Sequence, residues 1–132
     1  MNADGQHITA ICRERGIRLL VLFGSRASGR QRPDSDRDLA VLLDRSPTLA
    51  ELASLQEAME GTIGEKGDIQ FVVLNDLQST TLGREIVRGG TVLYDSDGEQ
   101  WPAFVCRAMK AYADFEPFRR LRKEVLQGGK VR

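Results

Sequence analysis

A mixed α/β fold is what this 132-residue sequence predicts, and three observations predict it. Short apolar runs rich in strand formers recur as L-L-V-L-F at 19–23, L-A-V-L-L at 39–43 and D-I-Q-F-V-V-L at 68–74. Segments with helical spacing of apolar residues lie between and after them. Pro, Gly, Asn and Asp punctuate nearly every junction.

In chain order, Ile8 to Arg15 carries apolar residues at 8, 11 and 12 and stops at Gly16, a helix with a C-terminal glycine. His7, the sole histidine, precedes it and reads as a surface residue. The strand Leu19–Phe23 ends abruptly at Gly24-Ser25. Residues 24 to 38 then form a loop, with a short helix over about 25–30 and Pro33 forbidding a continuous one.

After the second strand, Pro47 and the box Thr48-x-x-Glu51 start a helix whose stripe Leu49, Leu52, Leu55, Met59 and Ile63 reads as core up to Gly64. The run 68–74 is apolar on both faces, which predicts a central strand. Asn75-Asp76 reads as the cap of a helix reaching about Arg88, with Gly89-Gly90 as its end. Thr91–Tyr94 follows as an edge strand, and Asp95-Ser-Asp-Gly98 as a turn rather than a metal site. From about Glu99, Trp101, Val105, Met109 and Tyr112 keep helical spacing, Pro117 makes a break, and a second, basic helix runs to Leu126. The expectation is one domain over 1–132, with its core at about 8–94 and a helical segment at about 99–127. Pattern alone leaves strand direction open.

Bulk properties narrow the function. No apolar run exceeds five residues, against about 20 needed to span a bilayer, so no membrane segment is expected. The N-terminus lacks the basic and apolar regions of a secretory signal, which predicts a cytoplasmic protein. Cys12 and Cys106 lack partners at metal-site spacing and read as reduced thiols. With 19 basic and 19 acidic residues, net charge gives no reason to expect bulk nucleic-acid binding. The charge is uneven: residues 1–106 hold 11 Lys/Arg against 16 Asp/Glu, while 107–132 hold 8 against 3. That basic tail has three open readings: contact with RNA, contact with an acidic patch of a partner, or simple solvation.

The chemistry concentrates at 19–43. Small residues at 24, 25, 27, 28 and 29 let a phosphate approach backbone N–H groups closely. Asp36 and Asp38, two apart at the mouth of a strand, project from one face and offer hard carboxylate oxygens to Mg²⁺.

G-S-x-A-x-G, a gap of five residues and S-D-x-D-L, set between two apolar strands, resembles the nucleotidyltransferase superfamily that includes DNA polymerase beta. The short chain looks like its minimal nucleotidyltransferase (MNT) group, antitoxins that pair with HEPN ribonuclease toxins. The resemblance covers residues 19–74 and weakens after 94. It implies a small mixed, mostly antiparallel-type sheet with helices packed mainly on one face, plus C-terminal helices. It also asks for a third carboxylate on a later strand, where Asp68 stands.

By resemblance, Asp36, Asp38 and Asp68 are the catalytic and metal-holding residues, and Gly24, Ser25, Arg26 and Ser35 bind the nucleotide. Two Mg²⁺ ions about 3.5–4 Å apart stabilise the attacking and leaving oxygens in such chemistry. Asp36 and Asp38 hold both, Asp68 completes the site that activates the acceptor hydroxyl, and Arg26 is a candidate for leaving-group charge. The implied activity is transfer of AMP from ATP to a tyrosine hydroxyl of a HEPN toxin, which neutralises it. Two alternatives stay open: an antitoxin that only binds, and a transferase for a small-molecule hydroxyl such as an aminoglycoside. Trp101, Tyr112 and Phe115 read as toxin contacts or as core.

Overall fold

The computed structural model describes residues 3–24, 37–62 and 69–128. Along them run α1 (Ala3–Glu14), β1 (Ile17–Phe23), β2 (Arg37–Leu43), α2 (Leu49–Glu60), β3 (Ile69–Val73), a 3-10 turn (Leu74–Asp76), α3 (Thr80–Gly89), β4 (Thr91–Asp95), α4 (Gln100–Asp114) and α5 (Glu116–Gly128). The four strands among them form one sheet in the order β3-β2-β1-β4. β1 is antiparallel to both β2 and β4, and β2 is parallel to β3. The mixed α/β class and the mixed, largely antiparallel sheet match expectation.

The apolar runs dictate the layering. Leu19, Leu20 and Val21 are all fully buried although their side chains alternate across the sheet, so both faces of β1 must be covered. On one face Leu20, Leu39 and Val41 pack with Cys12, Leu55 and Met59, and Ile8 and Ile11 join them. On the other, Leu19, Val21, Phe23 and Ala40 pack with Ile86, Phe104 and Ala108, with Leu82 and Trp101 alongside. Thus α1 and α2 lie on one side and α3 and α4 on the other. The expectation of helices mainly on one face is corrected by this division.

Other local readings are also corrected. β3 sits at an edge of the sheet, not at its centre; its two apolar faces reflect helices on both sides rather than strands on both sides. α1 begins at Ala3, so His7 lies within the helix, where it is exposed, and Gly5 in the first turn does not interrupt it. Gly16, at φ 72°, ends it as a left-handed terminator. In α2 the reciprocal cap holds as expected, with the Glu51 N–H donating to Thr48 Oγ1 at 3.1 Å and the Thr48 N–H to Glu51 Oε1 at 2.8 Å. Leu49, the first residue of the helix, is nonetheless exposed, and the helix ends at Glu60.

Asn75 does not cap α3. Its amide accepts from the Leu43 N–H at 3.0 Å and donates to the Leu43 carbonyl at 2.9 Å, so a side chain continues the strand ladder. Ser79 caps α3 instead, accepting from the Leu82 N–H at 3.0 Å. The break between α4 and α5 falls at Phe115, two residues before Pro117, which sits in the first turn of α5 where its missing N–H costs nothing.

Burial divides the two cysteines. Cys12 is fully buried, and desolvation pushes its thiol up to about 12, whereas Cys106 is exposed. A disulfide-exchange reagent at pH 8 is therefore expected to titrate one thiol in the native protein and two in denaturant. Two fast native thiols would contradict this core.

Candidate functional site

β1 leaves the sheet where β2 enters it. Phe23 is the register partner of Asp38, so the next residue, Gly24, lies directly against the Asp38 side chain. Gly24 has φ 91°, a conformation that residues with a Cβ rarely adopt. A Cβ there would overlap the Asp38 carboxylate. The glycine is thus required twice, for its backbone angle and for the closeness of backbone to carboxylate.

The neighbouring strands start at the same end. Arg37 pairs with Ile69 and Asp38 with Gln70 in the parallel β2–β3 ladder, while Leu22 near the end of β1 pairs with Thr91 at the start of β4. One end of the sheet therefore gathers the exit of β1 and the entrances of β2, β3 and β4. Gly24 and Asp38 are brought together there. Ser25, Arg26, Ser35, Asp36 and Asp68 lie outside the described residues. The sequence reading passed over Gln70, an exposed amide beside Asp38 on the adjacent strand; its position two residues after Asp68 was the available signal.

Asp95 and Asp97 repeat the D-x-D spacing with a different outcome. Asp95 accepts from the N–H groups of Gly98 at 3.0 Å, Gln100 at 3.1 Å and Trp101 at 2.8 Å, and Asp97 accepts from the Glu99 N–H at 2.8 Å. These carboxylates tie the first turn of α4 to the end of β4. Burial pushes the Asp95 pKa up, and the N–H groups of Trp101, Gln100, Asp97 and Gly98 outweigh it, leaving a net lowering.

A cleft of about 530 Å³ opens at the opposite end of the sheet, lined by Arg15, Gly16, Asp44, Arg45, Glu51 and Ser54 among others. Several of its charged groups are already engaged with neighbours. Arg45 makes a two-pronged contact with Glu51 at 3.1 and 2.5 Å, Arg15 donates to Ser54 at 2.6 Å, and Arg18 stands 3.6 Å from Asp44. The Arg45 contact holds the Glu51 carboxyl down to about 2. The Gly24–Asp38 end, where small backbone meets carboxylate, is the stronger candidate.

The family model "Polymerase beta, Nucleotidyltransferase" matches residues 6–99. Two curated relatives are named protein adenylyltransferase MntA. That of Aphanizomenon flos-aquae is 29% identical over 84% of this chain and 79% of its own length. That of Thermococcus cleftensis is 35% identical over 57% of this chain and 78% of its own length. A crystal structure of a toxin–antitoxin complex with AMP-PNP superposes with a TM-score of 0.77 at 22% identity, covering 94% of this chain and 98% of that one. A tri-AMPylated Shewanella oneidensis HEPN toxin in complex with its MNT antitoxin gives 0.71 at 20% identity, covering 95% and 97%. At these identities the likeness to the solved structures is one of fold.

Two stability measurements test this geometry. Gly24→Ala is expected to cost about 1–2 kcal/mol in urea unfolding, from left-handed backbone strain, with more as Asp38 is displaced. An unchanged midpoint would mean that Gly24 and Asp38 do not abut. Because the Asp95 pKa is lowered on folding, its contribution is present above the ordinary carboxylate range and fades as pH falls through the folded-state value. Asp95→Asn should therefore destabilise the protein at pH 7 and progressively less toward pH 3, followed by thermal melts.

Proposed function

The chain belongs to the polymerase beta nucleotidyltransferase family, and from that premise we propose that it is a Mg²⁺-dependent protein adenylyltransferase, an antitoxin that transfers AMP from ATP to a tyrosine hydroxyl of a HEPN ribonuclease toxin. The observation that carries this reading is the apposition of Gly24 and the Asp38 carboxylate at one end of the sheet. No helix among the described residues is long and apolar enough to cross a membrane. The reading places the reaction in the cytoplasm, where ATP and a ribonuclease toxin meet.

The remaining assignments extend from that point. Asp36 and Asp68 each immediately precede a member of the Arg37–Ile69 register pair. Consecutive Cα atoms are 3.8 Å apart, so covalent geometry supports all three aspartates meeting at the sheet end that carries Gly24. Hard carboxylates beside a cradle that a Cβ would fill suit Mg²⁺ and a polyphosphate together. Asp36, Asp38 and Asp68 hold the metal, and Gly24, Ser25, Arg26 and Ser35 hold the nucleotide. When bound, Mg²⁺ supplies charge stabilisation at the attacking and leaving oxygens.

In the reaction, the acceptor oxygen forms a bond to the α-phosphorus as the bond from that phosphorus to the pyrophosphate oxygen breaks. On this reading Asp68 takes the hydroxyl proton. Gly24 and Ser25 orient the β- and γ-phosphates through their N–H groups, and Arg26 meets the charge of departing pyrophosphate. The AMP stays on the toxin as a phosphodiester.

Intact-mass spectrometry of both proteins tests this, after incubation with ATP, Mg²⁺ and a HEPN ribonuclease toxin. The expected result is a gain of one or more AMP units on the partner. Asp36→Ala and Asp38→Ala should each lose at least about a hundredfold in rate with little change in melting temperature. Labelling of the partner by either variant at the wild-type rate would remove the metal-site assignment.

A further inference from the structure

Helix α5 is amphipathic, yet its apolar stripe is left exposed among the described residues. Phe115, just ahead of it, and Phe118, Leu121 and Val125 along it are 50, 66, 56 and 45% exposed. Their spacing of three, three and four residues lays them on one side of the helix. α5 is held instead by its other side. The Arg119 guanidinium stacks 3.4 Å from the centre of the Tyr112 ring, Arg84 of α3 approaches the same ring at 4.7 Å, and Glu116 accepts from Arg119 at 2.7 Å. A 13-residue helix is marginal in water without apolar packing, so the stripe needs a cover.

Spacing and charge indicate what covers it. Apolar residues at intervals of three and four on a lone helix form the seam of helix-on-helix packing. α5 carries four basic side chains, Arg119, Arg120, Arg122 and Lys123, against Glu116 and Glu124. That excess of positive charge makes two copies of α5 repel one another, and antiparallel pairing about the Phe118–Leu121–Val125 seam would set Arg120 against Lys123, which disfavours a second copy. An apolar helical face flanked by acidic residues complements both the stripe and its rim.

We propose that the α5 stripe is the docking surface for the protein substrate, seating an acidic-flanked helical face of the HEPN toxin. This rests on the reading that the chain modifies a protein partner. The surface supplies affinity for the acceptor protein while the Gly24–Asp38 end supplies chemistry. It also gives the basic tail a role as the electrostatic rim of that surface.

The test is calorimetric titration of this chain with the same HEPN toxin, at two salt concentrations. Phe118→Glu/Leu121→Glu should weaken binding about a hundredfold or more while circular dichroism and melting temperature stay unchanged, since both residues are exposed. Arg122→Glu/Lys123→Glu should weaken it about tenfold and flatten the salt dependence. Wild-type-like affinity in the first variant overturns the proposal, as does a wild-type chain that does not bind this protein. Light scattering that shows a wild-type dimer, made monomeric by the first variant with toxin affinity unchanged, also overturns it. Binding that depends on α5 without any AMP transferred would uphold the docking surface and remove the transferase reading. AMP transfer with affinity indifferent to the variants would do the reverse.

Discussion

The structure depends on the antiparallel register of β1 and β2. Pairing Phe23 with Asp38 decides which backbone meets which carboxylate, and a slip of one residue would turn Asp38 to the other face of the sheet and break the contact with Gly24. Register is fixed because both faces are buried: Leu20 and Val21 on β1 and Leu39 and Ala40 on β2 must each meet their own helix layer. Core packing thereby sets the placement of a surface carboxylate.

Once β1 and β2 are paired, the rest of the sheet follows from the connections. β2 and β3 run in the same direction, which requires a crossover, and α2 supplies it on the α1 face. α3 then crosses the other face and delivers β4 to the free edge of β1, so the strand entrances come to lie at one end. Asn75 marks the place where β3 stops and the ladder would otherwise run out of partners: its amide imitates a peptide group against Leu43. Polar chemistry collects at one rim while the opposite rim, with its paired Arg45 and Glu51, closes the structure electrostatically.

The parts of this arrangement legible in the sequence are those encoded locally. The apolar runs at 19–23 and 39–43 announced two strands, the Thr48/Glu51 box announced α2, and Gly24 with Asp38 announced a turn beside a carboxylate. The misread features depend on partners distant in sequence. Asn75 and Ser79 are both competent caps, and only the nearness of Leu43 takes Asn75 away from α3. β3 looked central because a strand covered by helices on both faces has the same apolar pattern at an edge as in the middle. Leu49 continues a helical stripe by spacing, yet it is exposed as the first residue of α2. Likewise the spacing of Trp101 and Tyr112 could not separate their fates: Trp101 packs against Phe104 in the core, while Tyr112 carries two guanidinium groups.

The parallel step between β2 and β3 also has a kinetic meaning. β1 and β2 are neighbours in the chain, so Gly24 and Asp38 can find each other as soon as those two strands associate. Gln70 reaches Asp38 only after the whole of α2 has been laid down across the sheet, a longer loop to close. At this end of the sheet the contact between turn and carboxylate thus closes the shortest loop, the β3 side a longer one and the β4 side the longest, which favours assembly in that order.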